Sequence, residues 1–273
     1  MNAEITSNLY RAIQRTSQAN LKLPFSIFSS YKLQSLLNVP ITKPVLIVVL
    51  GGVKELGADH GLVCHAGDFV FLSNSPAINM RNIPKDEMYY ALLIEFDQKD
   101  IDGLYVNSDN KHDYLIGKTC QTLETCLTQF IESSAWASEE IISLRKREII
   151  LLLKELGHQQ VLSLLGGSKL KDQVHTLFIQ QGFSQLSVED ICENLAMSES
   201  TLRRKLKAEG SSVQDIKVQA RLGLALHLLQ TTTQSIGIIA EQCGYQSQSR
   251  FTDGFKQRFG LTPSELRKTK MTD

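Results

Sequence analysis

Ser200, Arg203, Arg204 and Lys207 are spaced so that a helix would carry them on one side, opposite Leu202 and Leu206, at about 100° per residue. Two guanidinium forks, an ammonium and a hydroxyl on one surface suit one chemistry in particular. Arginine makes paired hydrogen bonds to guanine in the major groove of double-stranded DNA, and lysine or serine holds phosphates. Plain solvation fits the same face, because basic helix surfaces are common on soluble proteins. A second set follows after an offset of roughly 49 residues, the mark of a weak internal repeat. There Phe251 and Phe255 would anchor a helix with Ser249, Thr252, Asp253 and Lys256 outward and Gln248 and Arg250 near its start. This face is less basic. Asp253 would repel a phosphate, so it either accepts from a cytosine amino group or orients Arg250.

Other chemistries have less support. A metal-dependent enzyme on a β scaffold would need His and Glu ligands on facing strands, yet only His60 and His65 lie close together. Their odd separation along a strand points them to opposite faces, unless a turn intervenes. The cysteines Cys64, Cys120, Cys126, Cys192 and Cys243 are scattered and form no C-x-x-C pair, which argues against a zinc site or a disulfide framework. No nucleophile elbow, phosphate-binding glycine loop or zinc-protease helix is present. We therefore expect no metal, no cofactor and no enzymatic activity. A cupin-like metal-dependent enzyme and a protein-interaction module stand as the alternatives.

The elements that must position these faces follow from periodicity. Helices are expected at Leu170–Gln181, Val188–Leu195, Glu199–Ala208, Val213–Gln230, Ile236–Cys243, Ser249–Phe259 and Pro263–Lys268, with Ser187, Ser198 and Ser235 near their starts. Ser187 has Asp190 three residues on, a near-match to a capping box. Each copy of the repeat is a short helix, a tight turn and a second helix. The turns are Leu195-Ala196-Met197-Ser198 and Cys243-Gly244-Tyr245-Gln246, where a small residue permits close approach. The connecting helix would be about 27 Å long. Successive major-groove faces lie ~34 Å apart, so one chain could read two turns of the same duplex.

Upstream the pattern is strand-like. Val45 to Leu50 is apolar and rich in β-branched residues, Gly51-Gly52 ends it, and Phe69–Leu72 and Met88–Phe96 follow further turns, which suggests a small barrel or sandwich. The β-rich part is expected to run to about residue 105, and the period is expected to turn helical from about His112 to His158. Those helices would cover the barrel, pair with a second subunit, or both. Leu164-Leu165-Gly166-Gly167-Ser168 reads as a linker, which predicts an α+β multidomain chain divided into 1–165 and 169–270. The chain has 273 residues and no net charge, but its halves differ. Residues 1–166 carry 15 Lys+Arg against 18 Asp+Glu, net −3, and the remainder 14 against 11, net +3. No run approaches the ~20 apolar residues of a membrane span, and no export signal is visible, so a cytoplasmic location without membrane contact is expected.

The C-terminal stretch resembles the DNA-binding domain of the AraC/XylS family of bacterial transcription regulators. The resemblance rests on Ile236-Gly237-Ile238-Ile239-Ala240-Glu241-Gln242-Cys243-Gly244-Tyr245, Ser249-Arg250-Phe251, and Phe255 through Pro263, ending at Arg267. Leu186-Ser187-Val188, Met197-Ser198, Leu202, Leu206-Lys207 and Arg221-Leu222 extend it over roughly residues 170–268. It implies a seven-helix domain with two major-groove helices, Ser200, Arg203 and Arg204 facing bases in the first and Gln248, Ser249, Arg250, Thr252 and Asp253 in the second. Activation through contact with RNA polymerase is implied as well. One departure is the turn Gly210-Ser211-Ser212, one residue shorter than the common pattern. The N-terminal part is broadly similar to the family's cupin-like regulatory domains, which implies dimerising helices and a small-molecule or protein effector.

Overall fold

The computed structural model describes residues 2–17, 23–57, 61–74, 77–104, 114–165, 169–183 and 185–270. The strands form two antiparallel sheets. One has the order β1 (Ser26–Ser30), β8 (Tyr89–Glu95), β3 (Val45–Gly51), β6 (Asp68–Leu72), β9 (Tyr114–Lys118), and the other β2 (Gln34–Val39), β7 (Ile78–Ile83), β4 (Val53–Leu56), β5 (Leu62–His65). In β3 the uninterrupted apolar run is explained by burial on both faces. Leu46, Val48 and Leu50 face one core, and Val45, Ile47 and Val49 face another. β6 and β8 alternate in the same way, so the larger sheet is the wall between two hydrophobic layers.

Helices close the outer layer. α1 (Asn2–Ser17) inserts Leu9, Ala12 and Ile13, α3 (Gln121–Ser133) inserts Leu123, Leu127, Phe130 and Ile131, and α4 (Glu139–Glu155) inserts Ile149, Ile150 and Leu153. The short α2 (Gln98–Ile101) and α5 (Val161–Leu164) complete the cover. Two expectations change here. Residues 114–118, placed in the helical stretch, form β9 against β6, because Leu115 is buried beside Phe71 and extends the sheet by one strand. The N-terminal residues, outside the expected β pattern, form α1. The α3–α4 pair lies where two helices were expected.

All seven expected C-terminal helices occur within a residue or so of their expected bounds. They are α6 (Leu170–Gln181), α7 (Val188–Asn194), α8 (Glu199–Ala208), α9 (Val213–Thr231), α10 (Ile236–Gln242), α11 (Gln248–Phe259) and α12 (Pro263–Lys268). Ser187, Ser198, Ser212, Ser235, Ser247 and Thr262 each accept from a backbone N–H of the first turn, a contact worth about 1 kcal/mol apiece. The Ser187–Asp190 box closes reciprocally at 3.1 and 2.8 Å. α6 is capped from elsewhere: both Glu209 carboxylate oxygens accept from its first N–H groups, Leu170 and Lys171, at 2.9 Å.

Of the expected linker 164–168, Leu164 instead ends α5 and Leu165 is buried beside it in the outer core, because both side chains are apolar. Residues 166–168 lie outside the described residues. Packing nonetheless crosses from one half to the other. The inner faces of β2, β3, β4, β6 and β8 share a single core with Leu222, Leu226, Ile239, Phe251, Phe255 and Phe259. The helices α6, α7, α8 and the start of α9 enclose a separate core around Val174, Phe178, Ile191, Leu202 and Leu206. Polar side chains cross the same boundary. Lys54 donates to Asn82 Oδ1 at 2.9 Å, Asn82 to Gln34 Oε1 at 3.0 Å, and Gln230 of α9 to the same Gln34 oxygen at 3.1 Å. Gln34 in turn donates to Thr269 Oγ1 at 2.6 Å. Asn74 donates to Asp172 of α6 at 2.7 Å, beside a cavity of about 280 Å³ between the halves that His175 also lines.

Candidate nucleic-acid interface

The two helix-turn-helix copies share one turn geometry. Leu195 N–H donates to Ile191, Ala196 to Glu193 and Met197 to Cys192; Cys243 donates to Ile239, Gly244 to Glu241 and Tyr245 to Ala240. Ala196 and Gly244 occupy the equivalent left-handed position, with φ +48 and +75. The second turn is one residue longer: helix α8 is capped by Ser198 directly after Met197, whereas Gln246 stands between Tyr245 and the cap Ser247. That extra residue accounts for the slip in the repeat. Ser247 itself is a cap that the serines singled out in the sequence did not include.

In α8, Leu202 and Leu206 are buried, while Ser200, Arg203, Arg204 and Lys207 are all exposed on the outer side. The structure brings these four onto one face, as their spacing implied. Arg203 is held by Glu199 one turn earlier, at 2.5 Å from Nη2 and 2.8 Å from Nε. Both partners are solvated, so this pair is weak and exchangeable for a phosphate or a base edge. The Ser200 hydroxyl lies 3.1 Å from that of Ser198. Glu199 is an element of the face that counting basic residues missed; its i to i+4 spacing from Arg203 was the available signal.

In α11, Phe251, Phe255 and Phe259 are fully buried and stack edge to face in succession, at 5.8 and 4.6 Å between ring centres. Gln248, Ser249, Arg250 and Asp253 are exposed and Thr252 is half-buried. Asp253 forms no ion pair with Arg250 among the described residues, so the orienting role considered for it is not set up here. β2 packs on the opposite side of α11, through the side occupied by Phe255 and Phe259. The β domain therefore leaves both outer faces open to solvent.

Elsewhere, His65 ends β5 on an exposed position and His60 lies outside the described residues. The buried Lys54, which has no carboxylate partner among the described residues, is pushed down to about 8 by desolvation and lies 5.7 Å over the Tyr89 ring. No helix among the described residues is long and apolar enough to cross a membrane.

Comparison with known proteins agrees with this geometry. A family model described as a helix-turn-helix domain matches residues 191–269. The urease operon transcriptional activator of Escherichia coli is 35% identical over 98 residues, 36% of this chain and 33% of that protein. The regulator YdeO of Escherichia coli strain K12 is 41% identical over 81 residues, 30% of this chain and 32% of its own length. The matched stretch thus spans about a third of either relative. Over the whole chain, a crystal structure of an apo ToxT variant from Vibrio cholerae superposes with a TM-score of 0.66 at 18% identity, covering 92% of this chain and 99% of that one. ToxT bound to an unsaturated fatty acid gives a TM-score of 0.61 at 18% identity, covering 92% and 97%. At that identity the likeness is one of fold: β sheets followed by a helical domain. Together these findings make residues 191–269 a helix-turn-helix domain similar in sequence to those of bacterial transcription regulators.

Proposed function

We propose that this chain is a sequence-specific transcription regulator that reads double-stranded DNA with α8 and α11 in successive major grooves. The observation that carries the reading is the pair of exposed polar faces on helices of matched turn geometry, each backed by buried Leu or Phe anchors. Ser200, Arg203 and Arg204 would face bases, Lys207 would hold the backbone, and Gln248, Ser249, Arg250, Thr252 and Asp253 would form the second reading face. The urease operon relative, named as an activator, supports activation; RNA polymerase would be the contact, and the chain would act in the cytoplasm without enzymatic chemistry of its own.

The β domain would then tune the readers. A fatty acid is bound in one ToxT structure of the same fold; for this chain we infer a small apolar effector. A homodimer would use α4, whose outward Leu144 is 66% exposed with Leu151 two turns on. Selection tests the central claim: the full chain is incubated with a genomic fragment library at near-physiological salt, and bound DNA is sequenced. Fragments that share two short motifs about one helical turn apart support the reading. Recovery without sequence preference at every salt concentration and effector tried, or affinity indifferent to salt, overturns it, because phosphate contacts impose a steep salt dependence.

A further inference from the structure

Arg221, midway along α9, stands where the two helix-turn-helix cores meet. Ile216 and Ala220 just before it belong to the core of the first copy, Leu222 and Ala225 just after it to that of the second, and Leu224 packs against both. The guanidinium carbon lies 5.8 Å from the ring centre of Phe183 and 5.5 Å from that of Tyr245. Phe183 belongs to the first copy and stacks on Phe178 at 6.4 Å. Tyr245 is in the turn of the second and tilts against Phe251 at 5.3 Å. The buried Nε has no hydrogen-bond partner among the described residues. A guanidinium nitrogen would sit 3.1 Å from a Cβ at Gly244, so the fork fills the space that this glycine leaves.

α9 fixes the distance between the copies but not their roll about its axis, which depends on side chains at the seam. A planar cation between two ring faces makes a stiff wedge there, since it is held by the rings of both copies and its shape resists rotation better than a flexible ammonium does. We propose that Arg221 is a positioning residue that sets the angle between α8 and α11, and with it the half-site spacing the protein accepts. The spacing part rests on the two-groove reading above; the angle does not.

The test uses the full chain with Arg221→Met, which keeps length and apolar burial, and Arg221→Lys, which keeps the charge. Nitroxide labels at Lys205→Cys and Gln257→Cys, exposed positions on α8 and α11, report the distance between the readers in a background with Cys120→Ser and Cys192→Ala. A narrow distance distribution in the parent, broadened by Arg221→Met and partly restored by Arg221→Lys, supports the proposal. An unchanged width in Arg221→Met overturns it, whatever happens to thermal stability. On DNA, Arg221→Met should accept several half-site spacings where the parent accepts one, with affinity for a single half-site unchanged; equal loss on every spacing and on the single half-site overturns the spacing claim. If the parent itself selects no paired sites, the two-groove reading fails while the distance measurement still decides the role of Arg221.

Discussion

Leu37 of β2 lies over Gly260, the residue that ends α11, such that a Cβ on that glycine would stand 3.0 Å from the Leu37 Cδ1 atom. Gly260 has φ +83, a left-handed value that costs an ordinary residue about 1–2 kcal/mol. Gly260→Ala should therefore destabilise the fold by roughly that amount. Leu37 is 43% exposed and can swing aside, so the backbone, not the clash, sets the loss. Urea titration of Gly260→Ala alone and combined with Leu37→Ala separates the two: a double mutant restored to the stability of Leu37→Ala would show that contact was the whole effect.

The equivalent turn positions predict changes of opposite sign. Ala196 already carries φ +48, so Ala196→Gly should stabilise the first copy by about 1 kcal/mol. Gly244→Val should do the reverse and by more, because its Cβ would come within 2.9 Å of Phe183 Cβ in addition to the φ strain. Thermal melts of both variants check the pair, and equal shifts in the same direction would refute the equivalence of the turns.

On DNA, Arg203→Ala or Arg204→Ala should weaken specific binding by ~1–3 kcal/mol if the arginine reads a base. Lys207→Ala should lower affinity for all sequences alike. Glu199→Ala frees Arg203 and removes a negative charge from the face, so non-specific binding should rise slightly. Gel shifts at moderate salt that show wild-type behaviour for all four would mean that α8 does not face DNA.

Burial drives His175 from its ordinary 6.5 to about 4, with Lys43 adding repulsion, so the imidazole stays neutral in the folded chain where the unfolded chain is protonated. The unfolded state then binds more protons between these values, and stability falls as pH drops from 6.5 toward 4. The slope is bounded by ~1.4 kcal/mol per pH unit. Urea midpoints across that window should be flatter for His175→Gln than for the parent; parallel curves would show a solvated imidazole.

The readers were legible because their signals are local. Serine caps, leucine and phenylalanine anchors at helical spacing and a small residue in each turn all lie within one short stretch of chain. β9 was not, since Tyr114–Lys118 is too short for its alternation to stand out from the helical pattern that follows. The Glu209 cap on α6 depends on residues far apart in sequence that only folding brings together. The alternation in β3 was hidden for a related reason: a strand covered on both faces is apolar throughout, and nothing in its residues says that one of the two covers reaches to the second reader.

That joint core bears on how the molecule could be taken apart. A fragment cut after the β domain would keep the first reader with its own interior, but it would strip the side of α11 that Leu36 and Val39 help to shield, leaving phenylalanines wet. A chimera that grafts these readers onto a foreign dimeriser would have to supply that shelter again. The two readers are thus unequal as spare parts: one is portable, and the other is half-owned by the β domain.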